Sequence, residues 1–244
     1  MKILAIDSSG LVASVSYVAD GSIVAEYTIN YKKTHSQTLL PMIDEIKSMA
    51  DIELSEIEAI AVANGPGSFT GLRIGSATAK GLAMALNIPV IEVSTIEALA
   101  YNAYGMDALV CPIMDARRDQ VYTGIYEFLK IGDKEYKYES NCILEPVAMS
   151  ITELAEKINV LGKDVLFTGD GCEVYKDKVA ELLKVKYTYA PFTMSRQKAG
   201  CVALAAEKYF LAGKFVSASD SSPVYLRATQ AERERAEKLA GGSC

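Results

Sequence analysis

Few side chains in this 244-residue sequence are suited to chemistry, and most of them sit where apolar runs end. Asp7-Ser8-Ser9 follows the run Lys2 to Ile6, and Asp115 follows Ala108 to Met114, with Arg117-Arg118 just beyond. An aspartate at a strand end can hold a metal-bound phosphate; the plainer reading of each is a turn or cap residue. Gly65-Pro66-Gly67 follows a short apolar strand, Ala59 to Ala63, and precedes a helix that begins near Ser68 to Gly71, with Ser68 or Thr70 as its cap. Backbone N–H groups at such a place can meet an anion. The spacing fails both phosphate fingerprints: no Lys follows for a Walker loop, and Thr70 stands where the dinucleotide motif needs its third glycine. A tight strand-to-helix turn is the better reading.

His35 is the only histidine. That removes the two-histidine zinc-protease motif, and the absence of a close cysteine pair removes the zinc-deaminase motif. No Gly-x-Ser-x-Gly elbow presents a serine nucleophile. His35 reads as a helix-start residue with the Ser36 hydroxyl as cap. Arg117-Arg118 suits forked hydrogen bonds to phosphate or carboxylate, or an exposed ion pair, with equal force.

The elements that must position these groups follow from periodicity. Lys2 to Ile6 reads as a buried strand. Leu11 to Val18 and Ser22 to Ile29 alternate by two around Asp20-Gly21, a hairpin signal. Gln37 to Ala50 is helical, with Leu39, Met42, Ile43 and Ile46 on a broad apolar stripe and Pro41 tolerable only near its start. The helix after the glycine loop repeats Gly71, Gly75, Ala79 and Ala83 every four residues, which places them on one face. Each glycine costs about 1 kcal/mol against alanine, so that face is expected to meet a close neighbour. A strand near Pro89 to Val93 and a helix from Ser94 to Tyr104 complete a first half. The second restarts with strands at Ala108 to Met114 and Gln120 to Leu129, with Tyr136 to Val147 able to pair. Helical stretches at Ile151 to Ile158, Cys172 to Leu183 and Arg196 to Ala212, and a strand at Val165 to Thr168 before Gly169-Asp170-Gly171, complete it. Both halves open with an apolar strand ending in Asp, a faint internal repeat. Gln230 to Leu239 reads as a solvated helix and Gly241 to Cys244 as a mobile end.

Composition bounds the class. The chain is 50% hydrophobic and carries net charge -6, ordinary for a globular protein and unsuited to gripping nucleic acid alone through a basic surface. Five scattered cysteines fit a reducing compartment. No signal peptide or membrane span is expected, so the expectation is a cytoplasmic protein.

ILAIDSS, HSQTLLPMI, IAVANGPGSFTGLRIG, AKGLA, VSTIEALA, DARRDQVY and PVYLR, in this order, resemble the TsaB (YeaZ) family from Lys2 to Arg227. The resemblance implies an α/β fold of the actin/Hsp70/sugar-kinase type, with two related subdomains, here 1–104 and 105–228, and a charged tail at 229–244. It implies a part in making threonylcarbamoyladenosine beside the tRNA anticodon, as a non-catalytic subunit. The partners implied are TsaD, the catalytic paralogue with a metal-binding His-x-x-x-His, and TsaE, an ATPase; TsaC supplies the adenylate. A homodimer is implied when TsaD is absent, with tRNA met mainly through the complex. His35 has Leu39 four residues on, where that paralogue's second histidine would stand, so neither a metal site nor a catalytic residue is expected. Family members have carried a glycoprotease label, which the same absence argues against.

Two functions from different classes remain. In the first, the chain is a scaffold that docks through Leu39, Met42, Ile43, Ile46, Thr70, Gly71, Arg73, Gly75 and Ala79 as half of a four-helix interface. Gly75→Leu would then abolish partner binding and leave the chain's own melting intact. In the second it is an ATP-dependent phosphotransferase acting alone, with Asp7, Ser8 and Asp115 as phosphate-binding candidates. No tightly bound cofactor is expected, and any ATP or ADP would sit at a partner interface.

Overall fold

Strand β1 (Lys2–Asp7) pairs antiparallel with β2 (Ala13–Ala19), which turns through Asp20 and Gly21 into β3 (Ser22–Ile29). Both turn residues have positive φ, 51° and 75°, as a two-residue hairpin loop requires. This computed structural model describes residues 1–31, 33–132 and 137–227. Helix α1 (His35–Met49) leads to β4 (Ala59–Gly65), parallel to β1; α2 (Phe69–Leu86) leads to β5 (Val90–Ser94), parallel to β4. The sheet order is β3-β2-β1-β4-β5. Helix α3 (Thr95–Ala100) and a 3₁₀ turn, Tyr101–Ala103, then lead out of this half.

The second half repeats the plan. It runs β6 (Leu109–Asp115), β7 (Gln120–Lys130), β8 (Tyr138–Ser150), α4 (Ile151–Leu161), β9 (Val165–Thr168), α5 (Gly171–Leu182) and β10 (Tyr187–Tyr189). Its order is β10-β9-β6-β7-β8. Counted within its own half, each sheet reads third, second, first, fourth, fifth, so the faint sequence repeat is a repeat of topology. The fold is of the actin/Hsp70/sugar-kinase type. Edge strand β10 was not anticipated; its Tyr187 and Tyr189 rings pack on Phe167 of β9.

Five layers result. Helices α1 and α2 cover the outer face of the first sheet, where Leu39, Met42, Ile43, Ile46, Ala79 and Ala83 pack on Leu4, Ile6, Ile60 and Val62. Helices α4 and α5 cover the second sheet through Leu154, Ile158, Tyr175 and Val179. Between the sheets lie α3 and α6 (Ala199–Leu211), whose Ile96, Leu99, Val202 and Ala206 join Ile91, Val110 and Tyr126 in the central core. Helix α6 packs on β1, β2 and β5, and Val216 bridges to Val90. The second half of the chain thus returns to the first sheet, across the sequence division at residue 105.

Two helix expectations are corrected. Leu39, Met42, Ile43 and Ile46 are at most 6% exposed and form the chain's own core, so they are not available to a partner. Pro41 lies inside α1, where it removes an intrahelical bond, and Leu40 and Met49 are the stripe's outward remainder at 58% and 77% exposure. The expected tail helix and mobile end lie outside the described residues.

Candidate functional site

Strands β1 and β6 run to the same cleft, of about 790 Å³, and bring the two aspartate turns to it. Asp7 is buried at the end of β1. Its Oδ1 accepts from the Ser9 N–H (2.9 Å) and Ser9 Oγ (2.6 Å), while Oδ2 has no partner. Burial pushes its carboxyl up to about 6, and the Ser9 bonds and nearby His35 pull back against that rise.

Ser8 points the other way. Its Oγ donates to the Gly71 carbonyl at 2.8 Å, and that bond occupies the hydroxyl proposed for phosphate. Gly67, Gly71 and Gly75 receive the same turn: a Cβ on any of them would penetrate Ser9 O, Ser8 O or Ser8 Oγ respectively. The close neighbour of the four-residue stripe is therefore this chain's own β1 turn. Gly71, Gly75 and Ala79 are buried there, whereas Thr70 and Arg73 lie on the exposed side of α2. Ser68 caps α2, accepting from the Gly71 N–H at 3.3 Å.

His35 opens α1, and its Nε2 donates to the Gly10 carbonyl at 2.9 Å, fastening the helix to the β1 turn. The expected Ser36 cap is not formed; Thr34 takes the cap position without a side-chain bond. Across the cleft, Asp115 Oδ1 accepts from the Arg117 N–H (2.8 Å) and the Tyr175 hydroxyl (3.1 Å). Arg117, Arg118 and Asp119 all carry left-handed φ, between 55° and 64°, and both arginines are exposed at the cleft.

Sequence reasoning missed Asp170, Arg196, Gln197 and Arg227. Asp170, at the start of α5, keeps a buried unpartnered Oδ1, and burial raises its carboxyl. The signal that could have found it is the Gly-x-Gly after a strand: Gly169 and Gly171 abut Ile113 O of β6, much as Gly67 abuts Ser9 O after β1. Gln197 is 3% exposed and reaches across to Gly10, where a Cβ would lie 2.6 Å from its Nε2.

The segment 216–227 closes one side of the cleft. The Val224 N–H donates to Asn64 O at 2.8 Å, Tyr225 packs 5.0 Å from the Phe69 ring, and Arg227 Nη1 donates to Ala116 O at 2.6 Å. Lys33, His35, Arg117, Arg118, Arg196 and Arg227 line the cleft against Asp115 and Asp170, so it is cation-rich in an acidic chain and suited to anions. It holds no activated nucleophile among the described residues. His35 is spent on a carbonyl, and Cys111, Cys142, Cys172 and Cys201 lie away from the cleft, with burial lifting the Cys111, Cys172 and Cys201 thiols to about 12 and Cys142 to about 11. No cluster of three metal-ligating side chains forms among the described residues.

Residues 22–235 match the family model for TsaD, tRNA N6-adenosine threonylcarbamoyltransferase. The Bacillus subtilis tRNA threonylcarbamoyladenosine biosynthesis protein TsaB is 35% identical over 190 residues, 76% of this chain and 78% of that one. Its Escherichia coli namesake is 31% identical over 232 residues, 93% and 95% of the two chains. The solved structure of YeaZ from Pseudomonas aeruginosa superposes with a TM-score of 0.75 at 29% identity, covering 92% of this chain and all of that one. With its motifs, its doubled topology and these relatives in agreement, the chain belongs to the TsaB (YeaZ) family.

Proposed function

We propose that the chain serves threonylcarbamoyladenosine biosynthesis on tRNA as a non-catalytic subunit that docks the catalytic paralogue TsaD, with the ATPase TsaE joining the pair. The observation that carries this reading is a second small-residue row on α2. Ala77, Gly81 and Ala85 also recur every four residues, and all three are exposed; a Cβ on Gly81 would meet nothing within 4 Å. Thr70, Arg73 and Met84 share the face with the row, and Met84 is 67% exposed. A helix backbone left this bare lets another helix approach at short axial distance. The docking face is thus offset around α2 from the row named in the sequence reading, and Thr70 and Arg73 remain on it. Without TsaD the same face serves a homodimer, so the two assemblies compete.

His35, the only histidine in the sequence, is bonded to the Gly10 carbonyl, and Leu39 four residues on is core, which suits a subunit that leaves the chemistry to TsaD. The test is reconstitution: tRNA supplied with the threonylcarbamoyl-adenylate stays unmodified with this chain alone and is modified once TsaD and TsaE are added. Modification by the chain alone would overturn the proposal.

The cation-rich cleft favours a second reading, an ATP-dependent phosphotransferase using Asp7 and Asp115. Calorimetry with ATP and magnesium on the isolated chain separates the two. Micromolar binding abolished by Asp7→Ala supports the phosphotransferase, and no binding supports the docking subunit, with any nucleotide held only at the interface with TsaD.

A further inference from the structure

A second cavity, of about 210 Å³, opens where β5, α3, β7, β8 and α6 meet. Two of its hydroxyls have no close hydrogen-bond partner among the described residues, with the Cys142 thiol beside that of Tyr126. Tyr126 is 2% exposed and its OH is unpartnered, and Ser94 Oγ is likewise buried without a partner. An unpaired buried polar group destabilises the fold, and one that is kept calls for a physical reason, such as a ligand. Next to them Glu97, 7% exposed, accepts from the Tyr209 hydroxyl; burial raises its carboxyl, and the Tyr209 bond works against that rise. Glu145 adds a second carboxylate to the lining. Lys208 and Lys214 are exposed at the rim. The Lys208 ammonium donates to Ser140 O at 3.2 Å, and the Lys214 ammonium sits 5.8 Å from the Tyr209 ring centroid.

Glu97 lies buried inside the cavity, whereas Glu145 and the two ammonium groups are exposed at its mouth. We infer that this cavity binds a small zwitterion, a free α-amino acid, with its ammonium toward Glu97 and Glu145 and its carboxylate toward Lys208 and Lys214. The Tyr126 and Ser94 hydroxyls complete its hydrogen bonds. At about 30 Å³ of liquid per water, the space corresponds to about seven waters, enough for an amino acid and too little for a nucleotide or a folded peptide. Ser94 and Glu97 belong to the first half, whereas Tyr126 and Glu145 belong to the second sheet. The ligand therefore joins the two halves at a place distinct from the aspartate cleft.

The experiment titrates the full chain by calorimetry with each common L-amino acid up to about 10 mM, a weak-binding range. Amino acids that bind are tested again as N-acetyl derivatives, which lack the ammonium, and as methyl esters, which lack the carboxylate. At least one amino acid is expected to bind saturably, both blocked forms to bind at least about tenfold more weakly, and Glu97→Gln to weaken binding by about tenfold. Lys208→Met with Lys214→Met, at exposed positions that leave the core intact, is expected to do the same and decides the matter should Glu97→Gln unfold. Binding by no amino acid, equal binding of the blocked forms, or binding untouched by the lysine pair overturns the assignment.

Discussion

Ser8 Oγ donates to the carbonyl of Gly71 at 2.8 Å, and this bond locks the turn after β1 onto the first turn of α2. Asp7 is held buried on one side of the turn, and the glycine face of α2 is pressed against the other.

The glycine face is consequently a folding requirement. Gly75→Leu is expected to destabilise the isolated chain by about 1–3 kcal/mol or more through overpacking against Ser8, the reverse of the intact melting expected from a partner-facing glycine. Urea denaturation checks it; an unchanged midpoint would show that the turn yields freely.

Asp7 sets a pH dependence. Its carboxyl titrates near 6 in the fold against 3.8 when free. Between those values the native state keeps a proton that the unfolded chain releases. Stability from this group therefore falls as pH rises from about 4 to about 6, and above that range the cost is up to about 3 kcal/mol. Asp7→Asn removes the titration, so the variant should be the more stable at pH 7 relative to wild type, with the advantage shrinking on acidification toward pH 4. A difference between the two proteins that stays constant with pH would contradict the assignment.

The 216–227 segment is pinned by Arg227 to Ala116 O. Arg227→Met removes a charged donor worth about 1.5–3 kcal/mol and should speed proteolytic cleavage within 216–227 and amide exchange at Val224 several-fold. Unchanged exchange at Val224, which donates to Asn64 O, would place the anchor elsewhere.

Much of the architecture was legible because period-two and period-3.6 patterns report which side of an element is covered. Among the described residues, the strands from β1 to β9 and helices α1 to α6 were anticipated to within a few residues; β10, three residues at a sheet edge, was too short to carry a period. The cleft was only half legible. Asp7 and Asp115 announce themselves at the ends of apolar runs, but Arg196 and Arg227 come from distant segments that only the returning chain brings near. The α2 stripe exposes the limit most clearly. Gly71-Gly75-Ala79-Ala83 and Ala77-Gly81-Ala85 have the same spacing and nearly the same composition, so periodicity says that something comes close without saying which row faces the core. The β1 turn decides it, by occupying the first.

The outer row of α2 is the surface proposed to dock the catalytic paralogue. Gly81→Leu fills open space and replaces a poor helix former, so it should leave the melting temperature unchanged or raise it slightly, by up to about 1 kcal/mol in stability. Size-exclusion chromatography of this variant mixed with TsaD is the most direct measurement. Gly81→Leu is expected to elute as a separate folded chain while wild type co-elutes; co-elution of the variant at wild-type affinity would rule out docking through this row.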